Sequence, residues 1–223
     1  MGFKSKNLAF TLAEVLITLG VIGVVAAMTL PTVVANYQKT VTVKKLKKAY
    51  TTLLQVVQRS YIENEVISGA IDLNQNYTAD EYKNFFDKYF LQFFDNPKVF
   101  KNNALPYGEY YPYKTLGNSR WMVGSVTKYS TPCVAFYSKD GIFYLLLINS
   151  VRELVVVVDI NGTQKPNMAG KDVFMFIVDL KSNNIVPAFA NDADRRCKKT
   201  SYGDSCAAKI IKDGWKISDD YPW

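Results

Sequence analysis

The N-terminal stretch K-S-K-N-L-A-F-T-L-A-E-V-L-I-T-L-G-V-I-G, residues 4–23, decides the fold of this chain. Lys4 and Lys6 stand at its start with no acidic residue nearby, and no charged residue occurs from Val15 to Gln38. A run this long and apolar can cross a bilayer, where about 20 helical residues at about 1.5 Å rise are needed. The two lysines predict that the short N-terminus stays in the cytoplasm.

Three interpretations of this segment compete. The first is a cleavable secretory signal, with a small-residue cleavage site at Val25-Ala26-Ala27. The second is an uncleaved anchor for an exported domain. Neither explains Glu14, an acidic residue at the start of the apolar run, because a carboxylate that enters the membrane costs a few kcal/mol.

The third interpretation accounts for Glu14. With a cut between Ala9 and Phe10, the segment resembles the class III leader of type IV pilins and type II secretion pseudopilins. Glu14 then follows shortly after the new N-terminus, and the apolar helix follows Glu14. The glycines at 20 and 23 and Pro31 resemble the stretch that unwinds on assembly in these families, and physically they weaken a helix.

The leader departs from the family pattern at one position. The residue before the cut is normally Gly, and here it is Ala9, which is also small. Cleavage after Gly2 would leave both lysines on the mature side with no basic leader, so we reject it.

The resemblance implies a structural protein rather than an enzyme. A prepilin peptidase would cut after Ala9 and methylate Phe10, while Glu14 and Pro31 would serve assembly. Implied partners are further copies of this chain, other pilins or pseudopilins, an inner-membrane assembly platform, and membrane lipid before assembly. The implied location is the bacterial inner membrane, single-pass with a cytoplasmic N-terminus, and then a periplasmic or cell-surface filament. The implied division is a leader (1–9), a transmembrane and filament-core helix (10–36) and a periplasmic or extracellular head (37–223).

Two other functions stay open at this point. A minor pilin that binds a ligand, for adhesion or DNA uptake, would share all of these residues. The other is an exported enzyme on an ordinary signal or anchor, which an N-terminus at Met28 would support. The 223-residue chain contains no histidine, which excludes Ser-His-Asp and Cys-His catalysis and histidine metal sites.

The charge of the chain does not favour nucleic acid as a partner. The net charge is +7, and Lys4 and Lys6 contribute to it. One dense basic cluster follows the apolar segment on a predicted helix, where a solvated or headgroup-facing stripe is expected. It consists of Lys44, Lys45, Lys47 and Lys48.

Two of the three cysteines are placed for a disulfide. Cys197 and Cys206 flank a short polar segment that turns through Gly203, which predicts a disulfide loop formed outside the cytoplasm. Cys133 would then have no disulfide partner within the chain. Two unlinked thiols are the alternative.

The rest of the chain predicts an α+β head in which the long N-terminal helix packs on an antiparallel sheet, as in pilins. Helical periodicity continues to about Glu63. A capping box at Thr78 and Glu81 opens a second helix, ended by Asn96-Pro97. Its aromatic stripe predicts core packing: Tyr82, Phe85, Phe86, Tyr89, Phe90, Phe93 and Phe94. Predicted strands span Cys133–Ser138, Ile142–Ile148, Val151–Ile160 and Val173–Asp179.

The loop between the last two predicted strands carries possible calcium ligands. Asp159, Asn161 and Asp172 offer hard oxygen atoms, and some pseudopilins hold calcium in a loop of their sheet. The spacing departs from an EF-hand, because Gln164 stands where the invariant Gly belongs. Asn161-Gly162 is also an ordinary turn pair, so we favour a structural loop. No cofactor is required by the resemblance, and calcium is the one that the loop allows.

Overall fold

The structure is a computed structural model. It describes residues 11–64, 67, 69–74, 77–100, 113–121, 133–149, 151–162 and 164–223. The chain divides into two compact units, with the boundary between Val41 and Thr42. The arrangement is α+β and like that of a pilin, with one long N-terminal helix and a C-terminal antiparallel sheet.

The first helix, α1 (Leu12–Asn64), continues through Pro31. In the first unit its apolar side chains are exposed on all sides, as at Leu12 (78%) and Met28 (74%). The most apolar 18 residues of this helix have a mean hydropathy of 2.2, and none of them is buried. By length and composition this helix can cross a membrane, which is compatible with a single-pass membrane protein.

Within the second unit α1 is amphipathic, as its periodicity predicts. The helix ends at Asn64, one residue beyond the predicted end. The buried side of this part faces the core of the second unit. It consists of Leu46, Ala49, Leu53, Val56, Val57 and Ser60.

The described strands form one six-stranded antiparallel sheet in chain order. Both faces of the sheet are buried, each by a separate apolar cluster. This explains why the sequences of the central strands are continuous apolar runs. The strands are β1 (Lys98–Val99), β2 (Cys133–Tyr137), β3 (Phe143–Ile148), β4 (Leu154–Asp159), β5 (Val173–Asp179) and β6 (Asn184–Pro187).

The fourth strand begins later than predicted. β4 starts at Leu154 rather than Val151. The reason is a turn closed by Asn149, whose Oδ1 accepts hydrogen bonds from the backbone N–H groups of Val151 (3.1 Å) and Glu153 (2.8 Å).

The second helix, α2 (Ala79–Tyr89), confirms the capping box and corrects the predicted end. Thr78 and Glu81 exchange both capping hydrogen bonds. The helix ends well before Asn96-Pro97, because the chain turns through a 3₁₀ segment, Leu91–Phe93. That turn places the Phe94 ring against Phe136 (4.7 Å between centroids) and Tyr144 (5.2 Å). The aromatic stripe therefore packs in the core, as predicted.

The outer edge of β6 is protected against pairing with another strand. The backbone N–H of Ile185 donates to the Oδ1 of Asn184 (2.8 Å), and the Ile185 carbonyl accepts from the Tyr50 hydroxyl (3.4 Å). Pro187 has no N–H to offer. An edge of this kind discourages strand addition.

Candidate functional site

The start of α1 places Glu14 in a local hydrogen-bonded cap. The backbone N–H and the hydroxyl of Thr11 both donate to Glu14 Oε2, each at 2.8 Å, and the Glu14 N–H donates to Thr11 Oγ1 at 3.2 Å. This is a capping box with Thr11 as N-cap. The sequence carries the signal for it as T-L-A-E, a local role for Glu14 in addition to the processing and assembly roles that the resemblance implies.

The other predicted assembly and processing residues do not join this cap. Pro31 lies inside α1 with its side chain exposed. Ala9 and Phe10 lie outside the described residues. Glu14 is thus a carboxylate at the start of an exposed apolar helix, and its described partners belong to its own helix turn.

The predicted disulfide is confirmed between Cys197 and Cys206, whose Cα atoms are 4.9 Å apart. Although the segment between them is polar, both cysteines are buried, at 2% and 0% exposure. Cys133 is not part of this disulfide and lies buried at the start of β2.

Gly170 packs directly against the disulfide. Its φ is +80°, and a Cβ atom there would lie 2.7 Å from Cys206 Sγ. Its carbonyl oxygen accepts a hydrogen bond from the buried hydroxyl of Tyr221, near the C-terminus. This position therefore requires glycine for both its backbone conformation and its space.

A buried lysine holds the C-terminal segment. The short helices α3 (Ala193–Arg196) and α4 (Cys206–Lys212) lie between β6 and the C-terminus. Lys209, on α4, lies 2.7 Å from Asp220 and 3.3 Å from Asp213. Burial lowers the pKa of Lys209, but the hydrogen bonds to Asp220 and Asp213 outweigh it and raise the pKa above its usual value. Nothing in the sequence marks this lysine as buried.

The C-terminal aromatic residues Trp215, Tyr221 and Trp223 pack the end of the chain against the core. Tyr221 is 4% exposed, and the Trp215 ring packs 5.5 Å from that of Tyr50 on α1. α4 ends in a Schellman motif: Gly214 N–H donates to the Ile211 carbonyl (3.0 Å) and Trp215 N–H to the Ile210 carbonyl (2.8 Å).

The loop at residues 159–172 brings its three predicted ligands together, but they are joined by hydrogen bonds within the loop, as in a structural turn. Asp172 accepts from the N–H groups of Asn167 (2.7 Å) and Met168 (2.6 Å), one at each carboxylate oxygen. Asn161 directs its Nδ2, not its oxygen, at Asp172 (3.2 Å). Burial raises the pKa of the Asp172 carboxyl, while these hydrogen bonds oppose the rise.

These contacts do not fit calcium, which prefers six to eight oxygen ligands. Asp159 is also engaged, since its Oδ1 accepts from the Asn161 N–H at 3.2 Å. Among the described residues no group of three or more His, Cys, Asp and Glu side chains could hold a metal. One feature favours a cation: the amide oxygens of Asn161 and Asn167 are buried without a described hydrogen-bond partner.

A chelator is expected to leave the thermal midpoint of the protein unchanged, because the hydrogen bonds that Asp172 accepts are supplied by the chain itself. Unfolding followed by near-UV circular dichroism, with and without EDTA, measures this. An ion that binds only the folded state would stabilise it by mass action. A midpoint that falls with EDTA and is restored by Ca²⁺ but not by Mg²⁺ would establish a calcium site instead.

Comparison with known proteins finds no matching protein-family model, no matching curated protein and no matching solved structure.

Proposed function

We propose that this chain is a structural subunit of a type IV pilus or a type II secretion pseudopilus. It is made as an inner-membrane precursor, cut after Ala9 by a prepilin peptidase, and assembled through its N-terminal helix. The head is the part exposed to the periplasm or the cell exterior.

The observation that carries the proposal is Glu14 at the beginning of an exposed apolar helix. An apolar helix with no core of its own to cover it needs lipid or other helices around it. A carboxylate at its start is costly in either environment unless a cation meets it. A staggered bundle of parallel helices supplies one, because the N-terminal amine of Phe10 on a neighbouring copy can approach Glu14.

The head supports the same proposal. Its α+β arrangement is like that of a pilin, and its disulfide suits an exported protein. The edge of β6 is protected, so self-association through this edge is disfavoured.

The experiment that tests the proposal is determination of the N-terminus of the chain isolated from its native host. Processing after Ala9 keeps the apolar helix in the product, whereas a secretory signal peptidase removes it.

A further inference from the structure

The long helix α1 carries positive charge and almost no negative charge. From Val15 to Ile62 the sequence contains no Asp or Glu. Its basic residues are Lys39, Lys44, Lys45, Lys47, Lys48 and Arg59. A helix of this composition cannot neutralise its lysines by pairs within the same helix.

The four clustered lysines differ in what they contact. Lys48 pairs with Asp140 at 2.8 Å, and the Lys47 ammonium lies 5.7 Å from the centre of the Trp215 ring. Lys44 and Lys45 are exposed, and no ion pair joins either of them to another residue in the described part of the chain. Lys44 and Lys45 are therefore the cations of the cluster that remain available to a partner.

The proposed membrane topology makes the position of these lysines unfavourable without such a partner. Positive residues near a transmembrane segment normally stay on the cytoplasmic side. In that topology Lys4 and Lys6 are on the cytoplasmic side, whereas Lys39 and the four clustered lysines are on the other.

We propose that Lys44 and Lys45 bind the phosphates of anionic phospholipids on the outer face of the inner membrane. This inference rests on the membrane-inserted precursor of the proposed function. The two residues follow the uncharged segment closely in sequence, and side chains on a helix tilt toward its N-terminus, which is the direction of the apolar segment. Ammonium groups at a membrane surface are attracted by anionic headgroups.

Native mass spectrometry of the full-length chain, released from vesicles of equal parts phosphatidylglycerol and phosphatidylcholine, tests this proposal. The wild-type chain should retain phosphatidylglycerol in preference to phosphatidylcholine. Lys44→Gln/Lys45→Gln should lower that preference by at least about tenfold, as expected for the loss of two charges near an anionic surface. Both side chains are exposed, so near-UV circular dichroism should be unchanged.

The matched control is Lys198→Gln/Lys199→Gln, which removes another exposed pair of adjacent lysines, in the disulfide loop. It should leave the lipid preference as in the wild type. An equal loss in both double variants would show a general charge effect and overturn the proposal. The proposal would also be overturned if Lys44→Gln/Lys45→Gln kept the lipid preference but lost self-association, since the partner of these lysines would then be a second copy of the chain. A wild-type chain that does not insert into vesicles would instead contradict the proposed function.

Discussion

Replacing Glu14 by valine is expected to abolish filament formation or reduce its yield at least about tenfold, while membrane insertion and cleavage after Ala9 continue. The change removes the carboxylate and leaves the helix apolar. In the proposed bundle it removes the attraction to the Phe10 amine of a neighbouring copy, which is stronger in water-poor surroundings than at a surface. Loss of even about 1.4 kcal/mol per contact changes an association constant tenfold.

The capping box at Thr11 allows variants that separate the charge of Glu14 from its role in the helix cap. Glu14→Gln keeps a side chain that can accept the Thr11 hydrogen bonds but removes the charge. Thr11→Val removes both hydrogen bonds of the Thr11 hydroxyl, leaves the backbone N–H of residue 11 to donate to Glu14, and keeps the charge. We expect both Glu14 variants to lose filaments and Thr11→Val to retain them.

Processed protein in the membrane and sheared filament from the native host are the two quantities to compare. Normal filament yield from Glu14→Gln, with loss in Glu14→Val and Thr11→Val, would mean that Glu14 acts only as a helix cap. Normal yield from all three variants would leave Glu14 with no part in assembly.

Gly170→Ala is expected to destabilise the head by about 3 kcal/mol. About 1–2 kcal/mol comes from placing a side chain at a left-handed φ, and about 1–3 kcal/mol from overpacking against Cys206 Sγ. For a chain of this size the thermal midpoint should fall by roughly 6–12 °C. Chemical unfolding followed by near-UV circular dichroism gives the free-energy difference.

Gly214→Ala is the matched control, because Gly214 has a φ of +73° but a Cβ atom added there would meet no other atom within 4 Å. It should cost only the backbone part, about 1–2 kcal/mol. In a Cys197→Ala/Cys206→Ala background the cost of Gly170→Ala should shrink by at least about 1 kcal/mol, because the sulfur atom is gone. Equal costs for the two glycines would contradict packing against the disulfide.

The sequence predicts those parts of the fold that rest on long periodic or apolar runs. The end of α1 is predicted to within one residue, since the helical spacing of its buried side continues to Ser60. Strand β5 is predicted at its observed bounds. The pairing of Cys197 with Cys206 follows from their short separation in a polar segment.

Tertiary packing decides the features that sequence patterns did not predict. Phe90, Phe93 and Phe94 continue the helical spacing of α2, yet the chain leaves the helix so that Phe94 can reach the sheet. The short edge strands β1 and β6 have too few residues to show alternation, and Pro187 in β6 argues against a strand.

The candidate sites also include features that depend on residues distant in sequence and one feature with a local signal. Lys209 looks like any surface lysine in the sequence, and only the approach of Asp220 from the C-terminal segment explains its burial. The glycine requirement at position 170 likewise depends on Cys206 and Tyr221, which are distant in sequence. The cap at Thr11 was not predicted, although its signal in the sequence is as local as the one at Thr78.

The mature N-terminus tests the central claim most directly. Intact-mass and N-terminal peptide mass spectrometry of the chain from its native host should find a product that begins at N-methylated Phe10 and contains the whole of α1. A product that begins at Met28 would show that the apolar segment is a discarded secretory signal, and the proposal of a filament subunit would then be wrong.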